Sequence, residues 1–563
     1  MTKTLDTDKY TIGSLLGRYE RRRVVLPEFQ RSYSWERAQV SQFLDDLFRF
    51  ETEFSKNPLT ASYFLGPIVV IHHDDYVLLL DGQQRLATAT IALAAMRDTA
   101  RAQDKPGTTK GADFARDIQR ELIEKDTDPV SHSLTLGELD EPFFVKGIKS
   151  DPPAFPVSKL RSHVLIQNAY QSAIAQLAGL LKAKSYDESL RLLKSLRDAL
   201  SKGMTLVGIV VSSEEDAYSI FETLNDRGLR LSVPDLVLNL LMRRAPDHTA
   251  RKLVRQNWNS MLRQMAKRDV SRFLRHMWVS QYGDLKTEGL YTAIKRQLEN
   301  SELTSTEYAE RCAEECDLYV ALLDVNVPMS KTALVDLEGI VKYLQITSAP
   351  PLLLAGYRCL SQHDFEKLLH TIIVTYVRYV VATNQNPLDF ETACYEAARQ
   401  IRAMAAASTD SAKQLGAAKE RLRELATADD AVREGAAELV LERSEALWLL
   451  TQLANGMQSA TKEVGMDRAN LEHIAPQNPG AAWPNKDEIE PLIWHIGNLT
   501  ILGERLNAKA QNKGFAEKAA QFYSKSEIAM TKEILSYSDW SETTIRSRAR
   551  KLAGRINETW PTL

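Results

Sequence analysis

A helical pattern from about residue 160 to about residue 460 constrains the fold of this sequence more than any other feature. Apolar residues recur at helical spacing throughout this stretch, and only the β-like run at 205–211 interrupts the pattern. The preceding residues, from 10 to about 100, alternate short apolar runs with helical periods. We therefore expect an α+β protein that is mostly helical, with an α/β domain at its N-terminus and a helical middle.

Two strand-like runs, at 64–71 and 76–80, are separated by the short polar spacer HHDD. This spacing predicts a β-hairpin, and the run at 205–211 is expected to complete the same sheet. The segment 101–160 is rich in Gly, Pro, Asp and Lys and only weakly periodic, so we interpret it as an insertion or a loop-rich flap.

The length and charge of the chain limit its organisation. At roughly 100 to 200 residues per domain, 563 residues predict three or four domains, which we place at 1–240, 241–425 and 426–563. No apolar stretch reaches the ~18 residues of a membrane helix, and the N-terminus lacks a signal peptide, so a cytoplasmic protein is expected. The formal net charge of -3 means that any DNA contact must use local basic patches.

The segment with the clearest chemistry is LEHIAPQ at 471–477, followed by IGNLTIL at 496–502 and then by Leu506 and Asn507. An acid and a histidine at a strand end, a Gly-Asn-Leu turn, and an asparagine on a helix resemble the layout of a ββα-metal nuclease. Phosphodiester hydrolysis needs a base and a cation. His473 offers the base, and Glu472 with Asn507 offers oxygen ligands that suit Mg²⁺ or Mn²⁺ better than zinc.

The two asparagines of this segment are expected to have different roles. Asn498 precedes Asn507 by nine positions (507 − 498), which places Asn498 near the turn and Asn507 on the following helix. Each residue alone is a weak signal, because a lone Glu-His pair is usually a strand end and an asparagine in such a turn usually serves its dihedral angles. Only the ordered set points to a nuclease.

The ordered set, together with NKGFAEK at 512–518, resembles the C-terminal nuclease domain of the GmrSD family of modification-dependent (type IV) restriction enzymes, over roughly residues 430 to 560. That domain is of the HNH, or His-Me finger, type. The resemblance implies that His473 is the general base, that Asn498 braces the loop bearing it, and that Asn507 is a metal ligand. The chain departs from many HNH sites in having Glu472 where they have Asp.

The N-terminal half resembles the N-terminal domain of the same family. The similarity is carried by PEFQRSYSW at 27–35, YFLG at 63–66, DGQQR at 81–85 and FETLNDRGL at 221–229. The two halves together match over about 350 residues. The resemblance implies a core similar to the ParB/sulfiredoxin fold, nucleotide binding or hydrolysis, and sensing of modified DNA. The sequence contains no P-loop motif, so a nucleoside triphosphate (NTP) must be held in another way.

The DGQQR turn is the candidate nucleotide site, because a strand, a glycine turn and a helix N-terminus present N–H donors to an anion. The candidate nucleotide-binding residues are Asp81, Gly82, Gln83, Gln84 and Arg85, with Arg31 as a second phosphate clamp. The alternative is that Arg31, Asp81 and Arg85 form a structural polar network under the sheet.

Two further sets are candidates for DNA contact. The candidate DNA-sensing residues are Gln30, Tyr33 and Trp35, of which the two aromatic rings either stack on a base or belong to the core. Near the C-terminus, a predicted helix carries a basic strip formed by Arg546, Arg548, Arg550 and Lys551. This strip either tracks phosphates beside the nuclease site or is a solvated helix face.

Two classes of function stay open at this point. The first is a metal-dependent DNA endonuclease or nickase of a modification-dependent restriction or anti-phage defence system, regulated by an N-terminal domain that binds NTP or senses DNA. A single His-Me site cuts one strand at a time, so nicking or cleavage by a homodimer is expected. The second is a nucleotide-responsive DNA-binding or scaffold protein with an inactive HNH site. The intact His473, Asn498 and Asn507 favour the first.

Overall fold

The computed structural model describes residues 6–17, 22–27, 32–125, 131–211, 232–407, 409–458, 469–480 and 482–563. Two compact units make up the chain. The first consists of Met1–Arg272 and Thr287–Cys316, and the second of Phe273–Lys286 and Asp317–Leu563. The chain is mostly helical with one small mixed sheet, as the sequence predicts. Within the described ranges, no helix combines the length and the apolar character needed to cross a membrane.

The first unit contains a mixed sheet of six strands in the order β1-β8-β3-β4-β2-β7. The strands of this unit are β1 (Asp6–Thr11), β2 (Arg23–Val25), β3 (Tyr63–His72), β4 (Tyr76–Asp81), β5 (Glu124–Lys125), β6 (Ser131–His132), β7 (Leu134–Thr135) and β8 (Met204–Val210). β3 and β4 pair antiparallel, which confirms the predicted hairpin. β8 pairs with both β1 and β3, so the predicted completion of the sheet is also confirmed.

Helices pack around this sheet. Those of the first unit are Ile12–Leu16, Arg37–Phe54, Gln83–Ala102, Lys110–Ile118, Glu141–Phe144, Arg161–Leu181, Tyr186–Asp198, Val233–Arg244, His248–Met265 and Thr287–Glu299. The helix Gln83–Ala102 is buried along most of its length because its alanine and threonine side chains let it pack closely against the helices Lys110–Ile118 and Arg161–Leu181. It begins after Gly82, whose φ of 104° and close approach to Ile68 both require glycine.

The segment 101–160 is not a flap. It supplies the helix Lys110–Ile118 and the edge strand β7, and its side chains Phe114, Phe144 and Ile148 are fully buried in the core of the first unit. The flap was predicted because the elements are short and partly π-helical, as at Gln119–Ile123 and Val145–Lys149, so no regular period is visible in the sequence.

In the part of the second unit that the structure describes, the chain is helical apart from one pair of strands, β9 (Ala469–His473) and β10 (Leu499–Gly503). Its helices are Lys331–Glu338, Pro350–Cys359, Gln362–Tyr376, Pro387–Ala407, Ser411–Arg423, Asp429–Ala437, Arg443–Met457, Lys486–Ile489, Glu504–Ala510, Phe515–Gln521, Ala529–Lys532 and Glu542–Thr559. The helices Val270–Tyr282 and Ser305–Leu323 run across the division between the units. The domain boundaries at 240 and 425 stay predictions.

Candidate active site

The strands β9 and β10 form an antiparallel pair in which His473 lies opposite Leu499. The helix Glu504–Ala510 begins directly after β10. The order strand, strand, helix brings the end of β9, the turn before β10 and the following helix together. His473, Asn498 and Asn507 lie on these three elements in turn.

His473 is the last residue of β9 and is 9% exposed. Its ring meets the ring of Trp494 edge-on, with 4.5 Å between the centroids, and its Nε2 lies 3.5 Å from the side-chain nitrogen of Gln477. Burial, helped by the nearby charges of Lys518 and Arg443, lowers the pKa of His473 to about 4. The imidazole is therefore neutral at physiological pH and able to accept a proton.

Asn498 is fully buried and binds the backbone just after His473. Its Oδ1 accepts hydrogen bonds from the Ala475 N–H and from the Trp540 indole N–H, both at 2.9 Å. Its Nδ2 donates to the carbonyl oxygens of Ala475 at 2.9 Å and Ile493 at 3.0 Å. With no exposed surface, Asn498 is placed to position the loop rather than to touch a substrate.

Glu472 precedes His473 on β9 and is 4% exposed. Its Oε1 accepts hydrogen bonds from Lys518 Nζ at 2.7 Å and from the Tyr523 hydroxyl at 2.9 Å. Lys518 also donates to the backbone carbonyl of His473 at 2.8 Å and is fully buried. Burial raises the pKa of the Glu472 carboxyl, and the charge of Lys518 opposes that shift.

Sequence reasoning assigned no role to Lys518 or Tyr523, although both contact Glu472. The motif NKGFAEK includes Lys518. The sequence does not show, however, that this lysine contacts Glu472, which lies 46 positions earlier in the chain.

Asn507 is half-buried on the helix Glu504–Ala510, and its Nδ2 donates to the Leu471 carbonyl at 3.1 Å. Its Oδ1 accepts no hydrogen bond from the described residues. Both hydrogen bonds to Glu472 end on Oε1, so Oε2 is the atom of that carboxylate suited to a metal. Amide and carboxylate oxygens are ligand types that Mg²⁺ and Mn²⁺ accept, with water and phosphate completing the shell. Within the described residues, no group of three or more His, Cys, Asp or Glu side chains is placed to hold a metal ion.

At the predicted nucleotide turn, the longer side chains are engaged within the first unit. Gln84 is buried and accepts from the Ser34 N–H at 2.8 Å while donating to the Ser32 carbonyl at 3.2 Å. Arg85 donates to the carbonyls of Leu65 at 3.0 Å and Pro67 at 2.6 Å.

Asp81 lies 3.6 Å from Arg85, and Gln83 is buried beside it. Arg85 and Asp81 thus have the geometry of a structural polar network, which is the alternative to nucleotide binding given in the sequence analysis. Gln30 and Arg31 lie outside the described residues.

The two aromatic candidates for DNA sensing occupy different environments. Tyr33 is 4% exposed, and its hydroxyl lies 2.8 Å from Thr88 Oγ1, so its ring belongs to the core and the prediction of base stacking is wrong for it. Trp35 is half-buried and packs against Phe43 with 6.1 Å between ring centroids.

The basic strip divides between two faces of the helix Glu542–Thr559. Arg550 and Lys551 are exposed, and Arg546 donates to Glu542 and Glu438, both at 2.7 Å. Arg548 is 4% exposed and donates only to backbone carbonyls of the second unit among the described residues. Its assignment to a DNA-binding strip is therefore wrong, because the residue faces the protein interior.

Two family models match the chain. The model described as GmrSD restriction endonuclease, N-terminal domain, matches residues 12–242, and that described as GmrSD restriction endonucleases, C-terminal domain, matches residues 426–555. The second match contains His473, Asn498 and Asn507. No curated protein matches the sequence. Because the two models together cover more than half of the 563 residues, the chain belongs to the GmrSD restriction endonuclease family and is a DNA endonuclease.

Proposed function

We propose that this restriction endonuclease cuts DNA by metal-dependent HNH chemistry with His473 as the general base. The observation that carries the proposal is the buried Asn498, which holds both the N–H and the carbonyl of Ala475, two residues after a neutral histidine. A catalytic base has to be held in one place and in its proton-accepting form, and this arrangement supports both requirements.

In this mechanism the neutral imidazole of His473 takes the proton of the water that attacks the phosphodiester. The ring of Trp494, perpendicular to the imidazole, and the side chain of Gln477 lie against the His473 ring. A divalent metal bound to Asn507 and Glu472 would offset the charge that develops on the phosphate oxygens and the leaving oxygen. Lys518 and Tyr523 fix the Glu472 carboxylate through Oε1, as groups behind a metal ligand commonly do.

Replacing Asn507 by alanine is expected to raise the Mg²⁺ concentration needed for half-maximal cleavage by about ten- to a hundredfold, the range typical for weakened metal sites. High Mg²⁺ or Mn²⁺ should restore part of the rate. The measurement is a metal titration of plasmid cleavage, with the exposed Asn326→Ala of the same unit as the control. An unchanged metal requirement in Asn507→Ala would show that this asparagine binds no metal.

The nuclease is further proposed to be controlled by a nucleoside triphosphate bound in the first unit. A cavity of about 290 Å³ in that unit is lined by Ser32 and Ser34, by the buried Arg255 and by Arg268. Guanidinium groups form strong, charge-assisted hydrogen bonds to phosphate. In this proposal the role of Gln84 is to hold the backbone of residues 32–34 at the edge of the cavity.

Arg268→Ala is accordingly expected to weaken nucleotide binding about tenfold or more, because a hydrogen bond to a charged group contributes about 1.5–3 kcal/mol. Isothermal titration calorimetry with ATP, GTP, CTP and UTP measures the effect. Arg116→Ala, an exposed arginine of the same unit that pairs with Asp113, is the matched control. Absence of affinity for all four nucleotides in the wild-type protein would rule out control by NTP.

The DNA that is cut is proposed to carry a modification. Each nuclease site is proposed to cut one strand, so a double-strand break needs two nicks or a homodimer. The exposed Arg550 and Lys551 offer phosphate contacts in the same unit as His473. The alternative of an inactive site is disfavoured because His473, Asn498 and Asn507 are all present and lie on adjoining elements.

A further inference from the structure

The guanidinium of Arg548 lies against the turn that carries Asn498. Its Nη1 donates to the carbonyls of Gly497 at 2.9 Å and Leu499 at 2.7 Å, the residues on either side of Asn498. A longer contact of 3.4 Å reaches the Ile496 carbonyl. One buried cation therefore holds the backbone on both sides of the asparagine that braces the loop after His473.

The helix that carries Arg548 also packs directly on this turn. A Cβ at Gly497 would lie 2.1 Å from the Ile545 carbonyl oxygen, so only glycine permits the approach. Ile545 and Arg548 are three residues apart and thus share one face of the helix Glu542–Thr559. The turn and the helix are fixed to each other at two adjacent points.

The burial of Arg548 is costly. Its hydrogen-bond acceptors among the described residues are neutral carbonyls, and burial lowers the pKa of its guanidinium to about 10. Buried charges are poor sources of stability, because desolvation offsets much of what their partners provide. A purely structural role would be served as well by an apolar side chain, so the position calls for an explanation through the site.

We propose that Arg548 is a positioning residue of the nuclease. It fixes the carbonyls that flank Asn498, Asn498 in turn fixes Ala475, and the loop keeps His473 in its catalytic orientation. This inference rests on the proposed role of His473 as the base. It extends that proposal by naming Arg548 as the residue whose hydrogen bonds fix the backbone on both sides of Asn498.

Arg378 provides a matched control at the other end of the same helix. It is equally buried and donates to Asn557 Oδ1 at 2.8 Å and to the Trp560 carbonyl at 2.9 Å. Its other guanidinium nitrogen donates to Asp429 at 2.7 Å. Arg378 therefore stabilises the same helix through similar bonds, but none of its partners in the described part of the chain belongs to the turn at Asn498.

The test compares Arg548→Met, Arg548→Lys and Arg378→Met for cleavage of a labelled DNA duplex at saturating Mg²⁺. Misplacing a reacting group by about 1 Å costs on the order of a hundredfold in rate. We expect that loss in kcat for Arg548→Met, with KM unchanged, and a smaller loss for Arg548→Lys, which keeps the charge. Arg378→Met should lower the melting temperature while kcat per folded molecule stays at the wild-type value.

A second readout needs neither DNA nor metal. The Trp540 indole N–H donates to Asn498 Oδ1, so its NMR signal, identified by Trp540→Phe, reports the position of Asn498. The signal should move in both Arg548 variants and stay in place in Arg378→Met. Should Arg548→Met not fold, Arg548→Lys supplies both readouts.

Two outcomes separate the inference from the assignment on which it rests. Wild-type kcat and an unmoved Trp540 signal in a folded Arg548 variant, alongside an inactive His473→Ala, would overturn the positioning role and leave the base in place. Full cleavage by His473→Ala would remove the proposed base itself, and the inference with it.

Discussion

Replacing His473 by alanine is expected to lower the rate of DNA cleavage by about a thousandfold, within the range that a general base contributes. The protein should remain folded, because the ring adds an edge contact with Trp494 that is worth about 1 kcal/mol. Single-turnover cleavage of a labelled duplex gives the rate. Thermal unfolding and fluorescence anisotropy of bound DNA show whether fold and binding persist.

His370→Ala is the matched control for this substitution. His370 lies in the same unit, has a side chain that is 54% exposed, and pairs with Asp336 on the surface. This substitution also removes an imidazole, but one that lies outside β9, and cleavage should stay at the wild-type rate. Equal rates for His473→Ala and His370→Ala would place the catalytic base elsewhere.

The second large effect is expected for Asn498→Ala, which removes four buried hydrogen bonds at once. Each buried partner that is left unsatisfied costs about 1–3 kcal/mol, so the four lost bonds predict a loss of about 4 kcal/mol or more in the free energy of unfolding. Cleavage per folded molecule should fall as well, because the Ala475 backbone is released. Urea unfolding and single-turnover cleavage measure the two effects.

Asn498→Asp separates the two halves of this network. The carboxylate keeps acceptors for the Ala475 N–H and the Trp540 indole, but it donates to neither Ala475 nor Ile493. We expect a loss of stability in this variant too, since the buried carboxylate would face the carbonyl oxygens of Ala475 and Ile493, to which Asn498 donates. A loss below about 1 kcal/mol in Asn498→Ala would show that these bonds do not hold the loop.

The sequence predicts the architecture where the patterns are long or local. The hairpin of β3 and β4 follows from two apolar runs around a short polar spacer, and the helical middle follows from its periodicity. The three catalytic candidates could be located because their order and spacing are local too. The flap predicted at 101–160 is wrong because short strands and π-helices leave no regular period in the sequence.

Partners in three dimensions were much harder to predict. Arg85 looks like a phosphate ligand in a sequence, but the carbonyls of Leu65 and Pro67 receive its hydrogen bonds. Arg548 looks like part of a basic surface because arginine is rarely buried. Its spacing of three residues from Ile545 and four from Leu552 nevertheless places it on the buried face, which helical periodicity could have indicated.

Cutting of supercoiled plasmid by the purified full-length protein tests the central claim most directly. Wild-type protein with Mg²⁺ should convert supercoiled DNA to the nicked form. The same preparation of His473→Ala, or wild-type protein with a metal chelator, should leave the DNA supercoiled. Nicking by His473→Ala at the wild-type rate, or by wild-type protein in excess chelator, would contradict a metal-dependent nuclease site at His473.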